Sequence, residues 1–254
     1  MYSLYLDCST GVSGDMLLAS LSHALDQLLG PVSGFTFLER EMSRLGLDGF
    51  GLEWSDKKVG GIRTWHVEVL QTKDQPLRTY TDLLQLIEKS GINGRTSELA
   101  GRALRLLGEA EAKVHGVNLE EVHFHEIGAV DTIVDIVGVM VLLEALEIES
   151  VTCSPVDLGS GFIECSHGKL PVPAPACAEL ISGMTTFGSE CGMERATPTG
   201  LAILRTIVDS FDSMPMGDVK SVGYGSGGRS CDEQPTYVRA FILEKVDVQL
   251  PDRG

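Results

Sequence analysis

Between residues 123 and 135 the chain reads HFHEIGAVDTIVD, a concentration of imidazole and carboxylate groups set among apolar residues. In an extended stretch side chains two residues apart share a face, so His123 and His125 converge. Asp131 and Asp135, four apart on a predicted helix, share one of its faces near the start. Two carboxylates at that spacing repel, and a divalent cation removes the repulsion. A mixture of imidazole and carboxylate suits nickel, zinc, iron or manganese, so the expected metal ligands are His123, His125, Glu126, Asp131 and Asp135. A purely structural alternative needs no metal. In it Asp131 caps the helix, whose N-terminus favours its charge, and the histidines are ordinary hydrogen-bonded residues.

Other groups offer weaker chemistry. Asp7 and Asp15 bracket a turn at the end of the first predicted strand, where α/β sheets tend to bind ligands. Within that turn the loop from Gly11 to Gly14 can present backbone N–H groups to a phosphate, although it lacks the lysine of a P-loop. Asp7, Gly14 and Asp15 are therefore candidate cofactor-binding residues, with a plain tight turn as the alternative. Cys165 and His167, two apart in an extended stretch, make a soft ligand pair for nickel or zinc, and His167 joins the candidate metal ligands. Glycines from Gly223 to Gly228, with Arg229 beside them, suit either a phosphate or a hairpin turn. His23 and His66 read as structural.

Composition narrows the function. The formal net charge of -16 argues against sequence-independent binding to nucleic acid and favours cations. No Lys or Arg lies between Lys113 and Lys169, while ten carboxylates do. Glu120, Glu121, Glu147 and Glu149 read as a solvated face; Asp131 and Asp135, embedded among Val, Ile and Ala, do not. The longest apolar run, 136–143, is too short to span a bilayer, and the N-terminus lacks a basic, apolar leader, so a cytoplasmic protein is expected. Six cysteines without a Cys-x-x-Cys pair read as reduced thiols.

The elements that must position these groups follow from periodicity. Residues 2–6 read as a buried strand, followed by a turn and a leucine-rich helix. A second helix is expected over 35–46, then a hairpin of 51–57 and 62–70 about Gly60-Gly61. After a polar connection over 71–80 come amphipathic helices at 81–90 and 95–115, and a helix apolar nearly all round at 130–146. Strands at 151–157 and 162–165 are expected to pair across Gly159-Ser160-Gly161. Thr197 then caps a helix running to 211, with Pro198 in its first turn. Final strands are placed at 219–224 and 237–244. The fold class is α/β, with helices packed on a mixed β-sheet that is not a strict Rossmann arrangement, and 1–254 forms a single domain.

Taken in order, Tyr5-Leu6-Asp7-Cys8 with Gly11-Val12-Ser13-Gly14-Asp15-Met16, the stretch from Ala110 to Gly116, the segment from His123 to Gly138, His167-Gly168 with Leu170 to Pro175, Thr197-Pro198-Thr199-Gly200 and Gly223-Tyr224-Gly225 resemble the LarC family of nickel insertion proteins. The resemblance implies insertion of nickel into pyridinium-3,5-bisthiocarboxylic acid mononucleotide, giving the nickel-pincer cofactor of lactate racemase, with CTP consumed. It implies nickel held by His and carboxylate groups and passed to the sulfurs of the pincer. A general base, His125 or Glu126, would take the ring proton lost as nickel bonds to carbon. Mg or Mn with CTP belongs to a C-terminal part of the family that 1–254 lacks, so that part is an expected partner, alongside a homo-oligomer; no nucleic acid and no membrane is expected. Unlike many members, this chain has no histidine-rich tract at 71–80. A metal-dependent phosphoester hydrolase and a non-enzymatic nickel metallochaperone remain open alternatives.

Overall fold

Leu4 and Leu6 are fully buried while Tyr5 between them is half-buried, the alternation of a strand with one face on a core. This strand, β1 (Tyr2–Asp7), runs antiparallel to β11 (Tyr237–Glu244) and parallel to β4 (Ile148–Cys153). Outward from β4 lies the short parallel strand β9 (Ser210–Phe211), and outward from β11 the antiparallel strand β10 (Asp218–Ser226). A hairpin of β2 (Phe50–Val59) and β3 (Ile62–Gln71) closes the opposite edge. Its turn is Gly60-Gly61, both at positive φ, as a two-residue hairpin turn requires. The hairpin joins β10 through a single parallel bridge between Trp65 and Gly225. The seven strands, in the order β2-β3-β10-β11-β1-β4-β9, mix parallel and antiparallel pairs in the computed structural model, so the α/β class and the departure from a Rossmann sheet hold. The structure describes residues 1–74, 76, 78–122, 124, 129–165, 167–228 and 235–246.

Seven helices accompany the sheet among the described residues: α1 (Gly14–Leu29), α2 (Ser33–Met42), α3 (Tyr80–Lys89), α4 (Gly94–His115), α5 (Ala129–Ala145), α6 (Pro175–Leu180) and α7 (Pro198–Ile207). α1 is sandwiched between β3, β10 and β11 on one side and α2, α5 and α7 on the other. Its approach to β10 is a backbone contact. A Cβ on Gly223 would stand 1.8 Å from the Ser20 carbonyl oxygen, and one on Gly225 would stand 2.1 Å from that of Met16. From Thr132 to Leu143 α5 is buried on all sides, with Ile133, Val134, Ile136, Val137 and Val139 fully inaccessible, as its nearly all-round apolar sequence predicts, whereas Asp131 near its start and Glu144 near its end are exposed. Helix starts also follow the sequence. Thr79 and Asp82 form a capping box on α3, and the Thr197 hydroxyl accepts the Gly200 N–H at 3.3 Å. No described helix is long and apolar enough to cross a membrane.

Two expectations fail. Residues 151–157 and 162–165 do not pair. Instead β5 (Val156–Asp157) joins β8 (Thr186–Phe187), and β6 (Phe162–Cys165) folds back on β7 (Gly168–Pro171). The partner of β5 lies about 30 residues further along the chain, beyond what a local turn signal reports, whereas β6 pairs with the strand that directly follows it, a closer partner than the Gly159-Ser160-Gly161 turn suggested. The helix expected to reach 211 stops at Ile207, because Ser210 and Phe211 pair with Thr152 and Cys153.

His23 ties α1 to the sheet, as its structural reading supposed. Its Nδ1 accepts the Tyr224 N–H at 3.1 Å, and its ring packs on Trp65, which stacks on Trp54. Burial, followed by the nearby Arg63 charge, pushes this imidazole down to about 4. The folded state therefore binds fewer protons than the unfolded chain between 6.5 and about 4, and stability falls as pH drops through that window. After discounting for a partly exposed ring, the loss is on the order of 1 kcal/mol. Thermal melts across that window should show this component in the wild type and lose it in His23→Gln; parallel curves would contradict it. Gly225→Val, which forces α1 off β10, should cost upwards of about 3 kcal/mol or abolish cooperative unfolding by circular dichroism.

Candidate functional site

Three carboxylates meet in a cleft of about 440 Å³ bounded by the starts of α1 and α5, strand β3, residues 193–199, Gly227, Gly228 and Thr236. That volume is in the range of sites for cofactor-sized ligands. Asp15, in the first turn of α1, accepts the Ser13 hydroxyl and the Met16 N–H on Oδ1 and the Gly228 N–H at 2.9 Å on Oδ2. Asp131 lies in the first turn of α5. Asp135, one turn deeper, is 8% exposed. Gly14 makes this approach possible, since a Cβ there would meet Asp135 Oδ2 at 2.2 Å.

Among the described residues the electrostatics are those of a site short of positive charge. Burial, then repulsion from Asp15 and Asp131, raises the Asp135 carboxyl well above its ordinary range. Asp131 is raised by desolvation and by Asp15, against the lowering effect of a hydrogen bond from the Gln71 side chain. Glu68 and Glu194 add carboxylates to the lining, and the single described lining guanidinium, Arg195, already faces Asp157 at 3.5 Å and the Thr10 carbonyl at 3.1 Å. Such a lining attracts a divalent cation. Among the described residues, however, no three His, Cys, Asp or Glu side chains are grouped so as to hold a metal ion. His123, His125 and Glu126, expected to complete that set, lie outside the described residues, as does Arg229.

The remaining candidates are dispersed. Asp7 does not line the cleft: its Oδ2 pairs with Arg239 and its Oδ1 accepts Ser9. Burial raises this carboxyl, but the bonds from Ser9 and Arg239 outweigh it and hold the group below its ordinary value. Gly14 lies at the cleft floor as backbone. His167 and Cys165 stand in a neighbouring hollow.

The cleft also contains groups without an expected role. His66 is 4% exposed, and its Nδ1 lies 2.9 Å from the Ser226 carbonyl oxygen. A carbonyl only accepts, so Nδ1 carries the proton; in the neutral ring Nε2 keeps its lone pair for a ligand or a proton. Thr236 Oγ1, buried in the same lining, has no hydrogen-bond partner among the described residues. The alternation Thr64, His66, Glu68 was the available signal, a polar row on one face of a hairpin strand.

A raised carboxyl means that stability falls as pH rises from about 4 through the raised value. In chelator at pH 8, Asp135→Asn should therefore raise the melting temperature by about 3 °C or more while abolishing most nickel-dependent stabilisation. A lower melting temperature without metal would show that the charge is compensated.

Residues 4–252 match the sequence model of the nickel insertion protein family. A putative nickel insertion protein of Geotalea daltonii is 42% identical over 97% of this chain and 62% of its own length. One from Dictyoglomus thermophilum is 36% identical over 100% of this chain and 64% of its own. The pyridinium-3,5-bisthiocarboxylic acid mononucleotide nickel insertion protein of Geobacillus kaustophilus is 35% identical over 98% of this chain and 61% of its own. The chain thus spans about three fifths of the length of the curated relatives it matches. No solved structure matches it. Extended over nearly the whole sequence, these likenesses show that the chain belongs to the nickel insertion protein family.

Proposed function

We propose that this chain carries the nickel-inserting part of an insertase acting on pyridinium-3,5-bisthiocarboxylic acid mononucleotide, the substrate named for the Geobacillus kaustophilus relative. The observation that carries the reading is the convergence of Asp15, Asp131 and Asp135 in one cleft with too little positive charge among the described residues to balance them. Nickel is here a substrate, not a resident cofactor. Carboxylate oxygens are harder donors than sulfur, so they collect the ion and yield it to thiocarboxylates. His123, His125 and Glu126 extend this donor set.

Bonding of nickel to the pyridinium carbon between the thiocarboxylates releases a proton, while the former C–H electron pair forms the metal–carbon bond. The base is drawn from His125 and Glu126. His66 offers a further imidazole in the described cleft, its Nδ1–H held by Ser226. In this reading the reaction is of the lyase type and cytoplasmic, the product serves lactate racemase, and CTP with Mg or Mn acts through the C-terminal part of the complete protein.

The test is incubation of the protein with nickel chloride and the precursor, alone and with the C-terminal part and MgCTP, followed by mass spectrometry for a nickel adduct that has lost a proton. Asp131→Asn/Asp135→Asn should lower the rate at least about tenfold, the scale of losing a charge-assisted ligand contact. Absence of the adduct in both wild-type reactions would overturn the reading, and release of inorganic phosphate from simple phosphoesters would point to the hydrolase.

A further inference from the structure

Beside the acidic cleft lies a second hollow of about 220 Å³, between the end of α4, the β6–β7 hairpin and the start of α7. His115, the last residue of α4, and His167, in the turn between β6 and β7, place their ring centroids 5.0 Å apart with planes inclined by 52°. These imidazoles come from elements distant in sequence, so the fold, not local chain geometry, brings them together.

Their separation fits a shared ion. With metal–nitrogen bonds of about 2.1 Å, two imidazoles on one metal at an angle of about 100° have ring centroids about 5 Å apart. Glu111, one turn earlier on α4, holds Oε2 3.4 Å from His115 Nε2. That contact gives His115 the carboxylate neighbour common to metal-bound histidines. The C-terminal end of α4 adds the negative end of a 22-residue helix. Cys165, whose thiol is directed to the Gly168 carbonyl at 3.5 Å, brings a softer donor into the same hollow.

We propose that His115 and His167 form a nickel-binding site distinct from the carboxylates of the main cleft, where the ion is held before insertion. The identity of the metal rests on the nickel-insertion reading; the imidazole geometry does not. Two protein nitrogens leave most of the coordination sphere of Ni²⁺ to water, which makes the site exchangeable, as a substrate ion requires. Glu194, Thr197 and Thr199 line both the hollow and the main cleft, so a single wall at the start of α7 separates the two positions.

Titration of nickel chloride into the whole chain, followed by calorimetry, tests the site. The wild type should show a class of nickel sites that His115→Ala/His167→Ala weakens at least tenfold and that Asp131→Asn/Asp135→Asn retains. X-ray absorption at the nickel edge should show imidazole scattering in the aspartate variant and weaker imidazole scattering in the histidine variant than in the wild type, since the donors of the main cleft keep theirs. Both histidines are on the surface, and circular dichroism checks that the fold survives their replacement. Unchanged nickel stoichiometry and affinity in a folded histidine double variant would overturn the proposal. The insertion assay separates this inference from the reading it rests on: failure of insertion with the histidine-dependent class intact removes the function and leaves the site, whereas insertion without that class removes the site.

Discussion

The close seating of α1 on β10 is the contact on which the rest of the structure depends. Gly223 and Gly225 let the backbone of the helix rest directly on the strand, where side chains would have imposed a wider gap. At that distance Asp15 reaches the Gly228 N–H just beyond the end of β10, while Gly14 admits the Asp135 side chain from α5. Ser226 orients His66 through its carbonyl and bonds the Thr64 hydroxyl through its own. Residues 226–228 therefore position acid on one wall of the cleft and imidazole on another.

That arrangement is unfavourable to the folded protein on its own terms. Burying Asp135 near two further carboxylates opposes folding unless a proton or cation compensates. The compensation for stability comes chiefly from the apolar residues of α5 and the leucine-lined face of α1. Asp157 shows the contrasting case: buried too, it accepts two backbone N–H groups and the Ser189 hydroxyl and faces Arg195, an internally satisfied carboxylate with no need of a ligand.

Much of this was legible in the sequence because it is local. The spacing of Asp131 and Asp135, the Thr197-Pro198 helix start, the Gly60-Gly61 turn and the length of α5 each depend on residues close together in the chain. What escaped was long-range. Asp7 and Asp15 flank one turn, yet β1 directs Asp7 to Arg239 on β11 while α1 carries Asp15 into the cleft. The carbonyl partner of His66, 160 residues away, could not be read from the neighbourhood of His66 in the chain. The meeting of His115 with His167 likewise requires α4 and the β6–β7 hairpin to be packed before either residue has a counterpart.

The hairpin bearing His66 and Glu68 is attached to β10 by one ladder bridge, at Trp65 and Gly225, whereas β2 and β3 pair along their whole length. Most of the restraint on this wall therefore resides in side chains: His66 and Thr64 on Ser226, and Trp65 on His23. Such contacts can open one at a time without breaking the main-chain ladder of β10, β11 and β1. The aperture of the cleft on this side is therefore set by a few side-chain bonds and not by a continuous main-chain ladder.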